Sequence, residues 1–168
     1  MNFGEFLANE GDLEKAQAVL QKGLGIFEQL DDKNGLAWTI YTRGWVSLRQ
    51  QKYLDAYAQT QVARYLFAKD QPRGIGMAWA TYILGHIERL QGYYQEARSH
   101  FFEQVGLGWD SHDITIVGRA FFGLGLVETV VGQAEKAVWL LALAERIRQE
   151  TKWIFAPHER KELEQALA

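Results

Sequence analysis

The sequence predicts an all-α fold built from helical repeats, and three observations support this prediction. Glycines recur at spacings of 40, 41 and 40 residues, namely Gly4, Gly44, Gly85 and Gly125. Further columns follow seven and twelve residues after each glycine, the first holding Gly11, Gln51, Gly92 and Gly132 and the second Ala16, Ala56, Ala97 and Ala137. Only 2 of the 168 residues are proline, so long helices can form. A fixed period of this length is typical of solenoids, in which each repeat buries its apolar face against its neighbours.

The third repeat shows how one period divides into two helices. Apolar residues recur at steps of three and four over residues 80–90, as they do on one face of an amphipathic helix. Gly92 follows, at a position where a left-handed residue commonly ends a helix. Ala97 and Phe101 then begin the apolar face of a second helix. We therefore expect the Gly85 and Ala97 columns to face each other across an antiparallel helix pair.

The same pattern divides residues 1–168 into one domain with five parts. These are a truncated repeat 1 (1–33), repeat 2 (34–71), repeat 3 (72–111), repeat 4 (112–151) and a C-terminal cap (152–168). Gly4, Gly44, Gly85 and Gly125 form one column, and we call them the ladder glycines. Because Gly4 belongs to this column, we expect the chain to begin midway along the first helix of a repeat. We expect a segment of a longer array, with a native short first helix as the alternative. Pro157 favours the start of a short capping helix laid over the last repeat.

The motif Leu84-Gly85, Gly92-Tyr93-Tyr94, Ala97 and Phe101 resembles that of the tetratricopeptide repeat (TPR) family. The resemblance covers nearly the whole chain, although the usual unit has about 34 residues and this one has 40 or 41. It implies a right-handed α-α superhelix, a TPR-like solenoid of about four helix-turn-helix repeats plus a C-terminal capping helix.

A narrower resemblance comes from the repeat entries Gly35-Leu36-Ala37 and Gly74-Ile75-Gly76-Met77-Ala78. These are similar to the C-terminal repeat arrays of large bacterial ATP-dependent transcription regulators of the LuxR and SARP types. The resemblance implies a non-catalytic protein-protein interaction or scaffold segment of a larger bacterial signalling or transcription-regulatory protein.

Composition argues against several classes of partner. A net charge of −3 and a pI near 5.8 disfavour direct nucleic-acid binding, which needs a basic face. The longest apolar run, residues 137–144, is far shorter than the roughly 20 residues of a membrane span. The chain has no cysteine and no apolar leader near Met1, which together favour a cytoplasmic protein.

We expect no enzyme activity, no metal site and no cofactor. The histidines are scattered, and no two have the spacing of metal ligands on one helix; they are His86, His100, His112 and His158. Glu88 and Glu128 occupy equivalent positions in adjacent repeats, so they could form a carboxylate pair. A contact between paired helices, or an exposed position, is the favoured interpretation of both.

In TPR proteins the first helix of each repeat lines a concave groove. Carried over by position, the resemblance implies a groove lined by Trp38, Tyr41, Trp45, Arg49, Trp79, Tyr82, His86, Arg89, Arg119 and Phe122. Trp, Tyr and Arg are enriched at binding hot spots, so we expect a protein or peptide partner here. The alternatives are an allosteric sensor for a small apolar, acidic ligand, or rings that pack as core. Homodimerisation through Phe3, Phe6 and Leu7 of the first half helix is a further expectation.

Overall fold

The computed structural model describes residues 3–167 of the chain. Every regular element in this range is an α-helix: α1 (Phe3–Asn9), α2 (Leu13–Gln29), α3 (Lys33–Arg49), α4 (Tyr53–Asp70), α5 (Ile75–Gln91), α6 (Tyr94–Asp110), α7 (Ile114–Val130), α8 (Ala134–Thr151) and α9 (Pro157–Leu167). The predicted fold class is confirmed, because helices within each part of the chain pack on their neighbours as in a helical repeat solenoid.

The chain forms two compact units, unit 1 up to Pro72 and unit 2 from Arg73 onwards. In unit 1, α1 packs on α2, α2 on α3 and α3 on α4, and α1 also contacts α3. In unit 2, α5 to α8 pack in the same manner, α5 also contacts α7, and α9 lies against α7. α1 has 7 residues, whereas α3, α5 and α7 have 17 each.

The same turn closes the first helix of all four repeats. Its left-handed residue is a glycine with φ of 78° to 90° in three repeats and Gln51, at φ 60°, in repeat 2. In repeat 3 the next residue, Tyr93, donates its N–H to the carbonyl of Glu88 at 2.9 Å, which satisfies one of the last carbonyls of the helix. The turn therefore needs the αL conformation in every repeat, and Gln51 adopts it at a steric cost that glycine does not have.

The ladder glycines make room for a large side chain of the second helix. A Cβ on Gly85 would lie 2.8 Å from Cε1 of Phe101, and in the other repeats the facing residues are Leu20, Thr60 and Leu141. These residues lie one helical turn beyond the alanine column that we expected to face the glycines. Phe101 also approaches Gly123 of α7, where a Cβ would lie 2.4 Å from its ring. The ring thus occupies the space left by two glycines on different helices.

Candidate binding face

The residues of the predicted groove fall into two sets. Those on α3 belong to unit 1, and those on α5 and α7 belong to unit 2. Both sets lie on the first helices of their repeats.

In unit 1, two of the predicted aromatic residues are part of the core. Tyr41 and Trp45 are buried, and the indole Nε1 of Trp45 donates to Asn9 Oδ1 at 3.2 Å. Trp38 is half-buried and packs edge-on against Phe67, with ring centroids 4.9 Å apart. Arg49 is also half-buried. Burial of Tyr41 and Trp45 corresponds to the core alternative rather than to an open groove.

Trp38 also lines an apolar cleft of about 390 Å³ between α2 and α3. The cleft is bordered by Leu20 and Phe27 of α2 and by Thr39 of α3. Within unit 1, Trp38 is therefore the predicted groove residue that borders a cavity.

In unit 2, Tyr82, His86 and Phe122 are buried. The Tyr82 and His86 rings meet edge-on with centroids 4.4 Å apart, and His86 packs on Phe101 at 5.2 Å. His86 is thus enclosed by aromatic rings, which is a core position. Trp79, Arg89 and Arg119 are half-buried. We call Trp79, Tyr82, Arg89 and Arg119 the basic-aromatic face.

The C-terminal helix α9 covers this face through a buried carboxylate. Glu159 is 2% exposed, and its Oε1 accepts hydrogen bonds from Tyr82 Oη at 3.0 Å and from Arg119 Nη1 at 2.6 Å. Its Oε2 accepts the backbone N–H of Ala156 at 2.8 Å, which caps the first turn of α9. Glu159 therefore caps the first turn of α9 and also holds this helix against α5 and α7.

A second carboxylate of α9 lies one turn further along. Arg89 Nη2 donates to both carboxylate oxygens of Glu162 at 3.0 Å, and it approaches His86 Nδ1 at 3.4 Å. Charge-assisted contacts of this type are stronger than neutral hydrogen bonds. Because Arg89 lies on the first helix of repeat 3, the capping helix reaches beyond the last repeat over which we expected it to lie.

An aromatic anchor precedes α9. Trp153 and Phe155 are buried in one cluster with Phe122, Leu126, Leu141 and Ala144. The guanidinium of Arg119 lies 4.6 Å from the ring centroid of Trp153 and 5.3 Å from that of Trp79. Arg119 therefore joins the anchor, the basic-aromatic face and Glu159 in one network.

Burial favours the neutral form of the Tyr82 hydroxyl. Removal from water, together with the negative charge of Glu159, raises the pKa of Tyr82 well above its ordinary value of 10.0. The neutral phenol donates its hydrogen bond to Glu159.

Sequence reasoning did not identify Trp153, Phe155, Glu159 and Glu162 as residues of this site. Two glutamates three residues apart on a short helix lie on one helix face, so they can contact two arginines together. The spacing of Glu159 and Glu162, considered together with Arg89 and Arg119, is the signal that could have identified the two glutamates.

The other acidic residues singled out from the sequence have structural partners. Glu88 Oε2 lies 2.6 Å from His100 Nδ1, and Glu128 accepts from Arg98 at 2.7 and 2.9 Å. The Arg98 guanidinium holds the pKa of the Glu128 carboxyl below its ordinary 4.5. Glu88 and Glu128 therefore form contacts between helices, as favoured above, rather than a carboxylate pair.

Within residues 3–167, no group of histidine and acidic residues is placed to hold a metal ion. None of the helices described there combines the length and apolar character that crossing a membrane requires.

Comparisons with known proteins identify a shared fold and no family. No family model and no curated protein matches the chain. Its structure is similar to the crystal structure of BtubC (BKLC) from P. vanneervenii, with a TM-score of 0.71 and 17% sequence identity. The match covers 88% of this chain and 60% of that chain, so this chain corresponds to part of the length of BtubC. At this identity the likeness shows a common helical-repeat fold and nothing further.

Proposed function

We propose that the chain is a non-catalytic protein-protein interaction module, which binds an acidic segment of a partner protein at the basic-aromatic face. The observation that carries the proposal is the contact of this face with α9. Arg89 and Arg119 each hold a carboxylate from a segment that is distant in sequence, since Glu162 lies 73 residues from Arg89 and Glu159 lies 40 residues from Arg119. A face that holds an acidic helix of its own chain has the chemistry to hold one from another protein.

The geometry favours a helical peptide over a small acidic ligand. The two carboxylates are three residues apart on one helix, and each contacts a different arginine. A small ligand with one carboxylate would satisfy only one of the two guanidinium groups. A half-buried arginine left without its partner would lose the charge-assisted hydrogen bonds that now stabilise it.

The proposed absence of catalysis is supported by the candidate acid and base groups. Tyr82 donates to Glu159, His100 lies against Glu88, and Glu128 is paired with Arg98. These groups therefore serve contacts between helices in the described structure.

We extend the proposal to the wider context that the sequence motifs imply. The module would be a TPR-like scaffold of a bacterial signalling or transcription-regulatory protein in the cytoplasm. Its contribution there would be recognition of an acidic segment. Partner choice would depend on charge, because a planar guanidinium can donate two parallel hydrogen bonds to a carboxylate.

Selection of peptides from a displayed library with the full chain tests this proposal. We expect the selected peptides to combine acidic residues with an apolar or aromatic residue. The Trp79→Ala variant should bind them at least about 2 kcal/mol more weakly, the range of a hot spot. Arg89→Lys should also bind more weakly, because lysine lacks the planar guanidinium.

Matched controls come from the exposed surface of α8. Trp139 is 65% exposed and Arg146 is exposed, so Trp139→Ala and Arg146→Lys remove the same groups outside the face. Affinity is measured by isothermal titration calorimetry, and far-UV circular dichroism checks the fold. Each variant is also compared in a chain carrying Glu162→Gln, in which α9 has lost its contact with Arg89. If the α5 variants bind the selected peptides as tightly as the α8 controls do in that chain, the face is not the binding site.

A further inference from the structure

The C-terminal segment is attached to unit 2 at two separate places. The first is the aromatic anchor of Trp153 and Phe155, whose rings are buried in the core cluster. The second is α9 itself, which starts at Pro157 after a stretch without helical structure. Ala156, which is not helical, lies between Phe155 of the anchor and Pro157 of α9. Rotation about this residue is the movement by which α9 can leave the face while the anchor stays in place.

The second attachment combines apolar and polar contacts. Glu159 is the one buried residue among those described in α9, while Leu163 and Ala166 are partly buried against the core cluster. Its polar contacts join Glu159 and Glu162 to Tyr82, Arg89 and Arg119. A helix held in this way can be replaced by another helix that offers the same carboxylates and a similar apolar residue.

We propose that α9 is an intramolecular ligand of the basic-aromatic face, and that a partner helix binds by displacing it. The partner helix would carry the pattern Glu-x-x-Glu-Leu, as residues 159–163 of this chain do. This inference rests on the proposed function, because it names the chemistry of the partner and the competitor that regulates its access. In the free chain α9 then occupies the basic-aromatic face, and the partner must compete with α9.

The affinity that a partner needs in order to displace α9 can be estimated. A segment joined by a short flexible linker has an effective concentration on the order of 1 mM, and the one-residue joint of α9 makes this a lower bound. A partner present at about 1 μM must therefore bind at least about 1,000-fold more tightly than α9 would as a free peptide. Loosening α9 raises the apparent affinity for a peptide by increasing the fraction of chains with an open face.

A fluorescently labelled peptide of residues 156–168 tests the proposal on the full chain. The Glu162→Gln variant loses its ion pair with Arg89, so α9 should open more often. Fluorescence anisotropy should show binding to this variant at least about 10-fold tighter than to the wild type, since contacts to charged groups are worth about that factor or more. Glu164→Gln makes the same charge change at an exposed position of α9 and should bind as the wild type does.

Two further measurements connect the binding to the face and to α9. Adding Arg89→Gln to the Glu162→Gln variant should remove peptide binding, because the face then has no guanidinium to hold the Glu162 carboxylate of the peptide. Hydrogen exchange at the amides of α9 should be faster in Glu162→Gln than in the wild type, with α7 unchanged. Circular dichroism and thermal melting show whether each variant is folded.

The proposal is overturned if Glu162→Gln and the wild type bind the peptide equally, or if Glu162→Gln shows no binding at 1 mM peptide. Its failure can be told apart from failure of the proposed function. Library peptides that bind the wild type and Glu162→Gln with equal affinity, in an Arg89-dependent manner, would retain the function and exclude displacement. Binding of the 156–168 peptide to Glu162→Gln, with no library peptide selected, would retain the intramolecular ligand and exclude the function.

Discussion

The packing of Phe101 between two helices allows a sharp test of the repeat architecture. The Phe101 side chain of α6 is fully buried, and a Cβ on Gly123 of α7 would lie 2.4 Å from its Cε1 and 2.5 Å from its Cζ. Both distances are far inside van der Waals contact, and an aromatic ring cannot bend away. In Gly123→Ala, either the ring or α7 must move.

The magnitude follows from two opposing effects. Overpacking of a well-packed core typically costs about 1–3 kcal/mol. Alanine in a helix interior gains about 0.5–1 kcal/mol relative to glycine. Gly106→Ala in α6 isolates the second effect, because among the described residues no heavy atom lies within 4 Å of the added Cβ. We expect Gly106→Ala to stabilise the chain by that gain, and Gly123→Ala to be less stable than Gly106→Ala by about 1–3 kcal/mol.

Urea unfolding of the full chain, followed by circular dichroism at 222 nm, measures both variants against the wild type. The slope of the transition must stay constant for the midpoints to be compared as free energies. A Gly123→Ala variant as stable as Gly106→Ala would show that Phe101 does not fill the space beside Gly123, and the account of the ladder glycines would fail.

Two further predictions concern the turn of repeat 2 and the contact between α6 and α7. Gln51→Gly should raise the free energy of unfolding by about 0.5–1 kcal/mol in the same urea assay, because Gln51 has φ of 60° and glycine adopts this conformation without strain. Arg98 lowers the pKa of Glu128, so the pair stabilises the fold at neutral pH and loses this contribution as the pH falls through the lowered pKa, below 4.5. Arg98→Gln should therefore lower Tm at pH 7 and have less effect at pH 3, and an equal loss at both pH values would contradict this assignment.

Local features of the sequence determined the repeat architecture. The ladder glycines, the turn glycines after them and the scarcity of proline act within one or two helices, so their spacing predicted helix pairs. The alanine column was less informative, because the facing residue depends on how far one helix is displaced along the other. The structure places Phe101, one turn beyond Ala97, against Gly85.

At the basic-aromatic face, the local sequence pattern was not sufficient to predict which residues are exposed. Repeat equivalence placed Trp79, Tyr82, Arg89 and Arg119 on the first helices of their repeats, yet it could not tell open positions from covered ones. Burial of a ring depends on what crosses over it, and here that is a segment tens of residues further along the chain.

The sequence by itself therefore determined the fold class, the repeat period and the helix faces that carry the aromatic and basic residues, because these follow from spacing along single helices. Tertiary structure alone decided that Glu159 and Glu162 meet Arg119 and Arg89. Pairing of charges between segments distant in sequence depends on where the chain returns, and helical periodicity contains no information about that return.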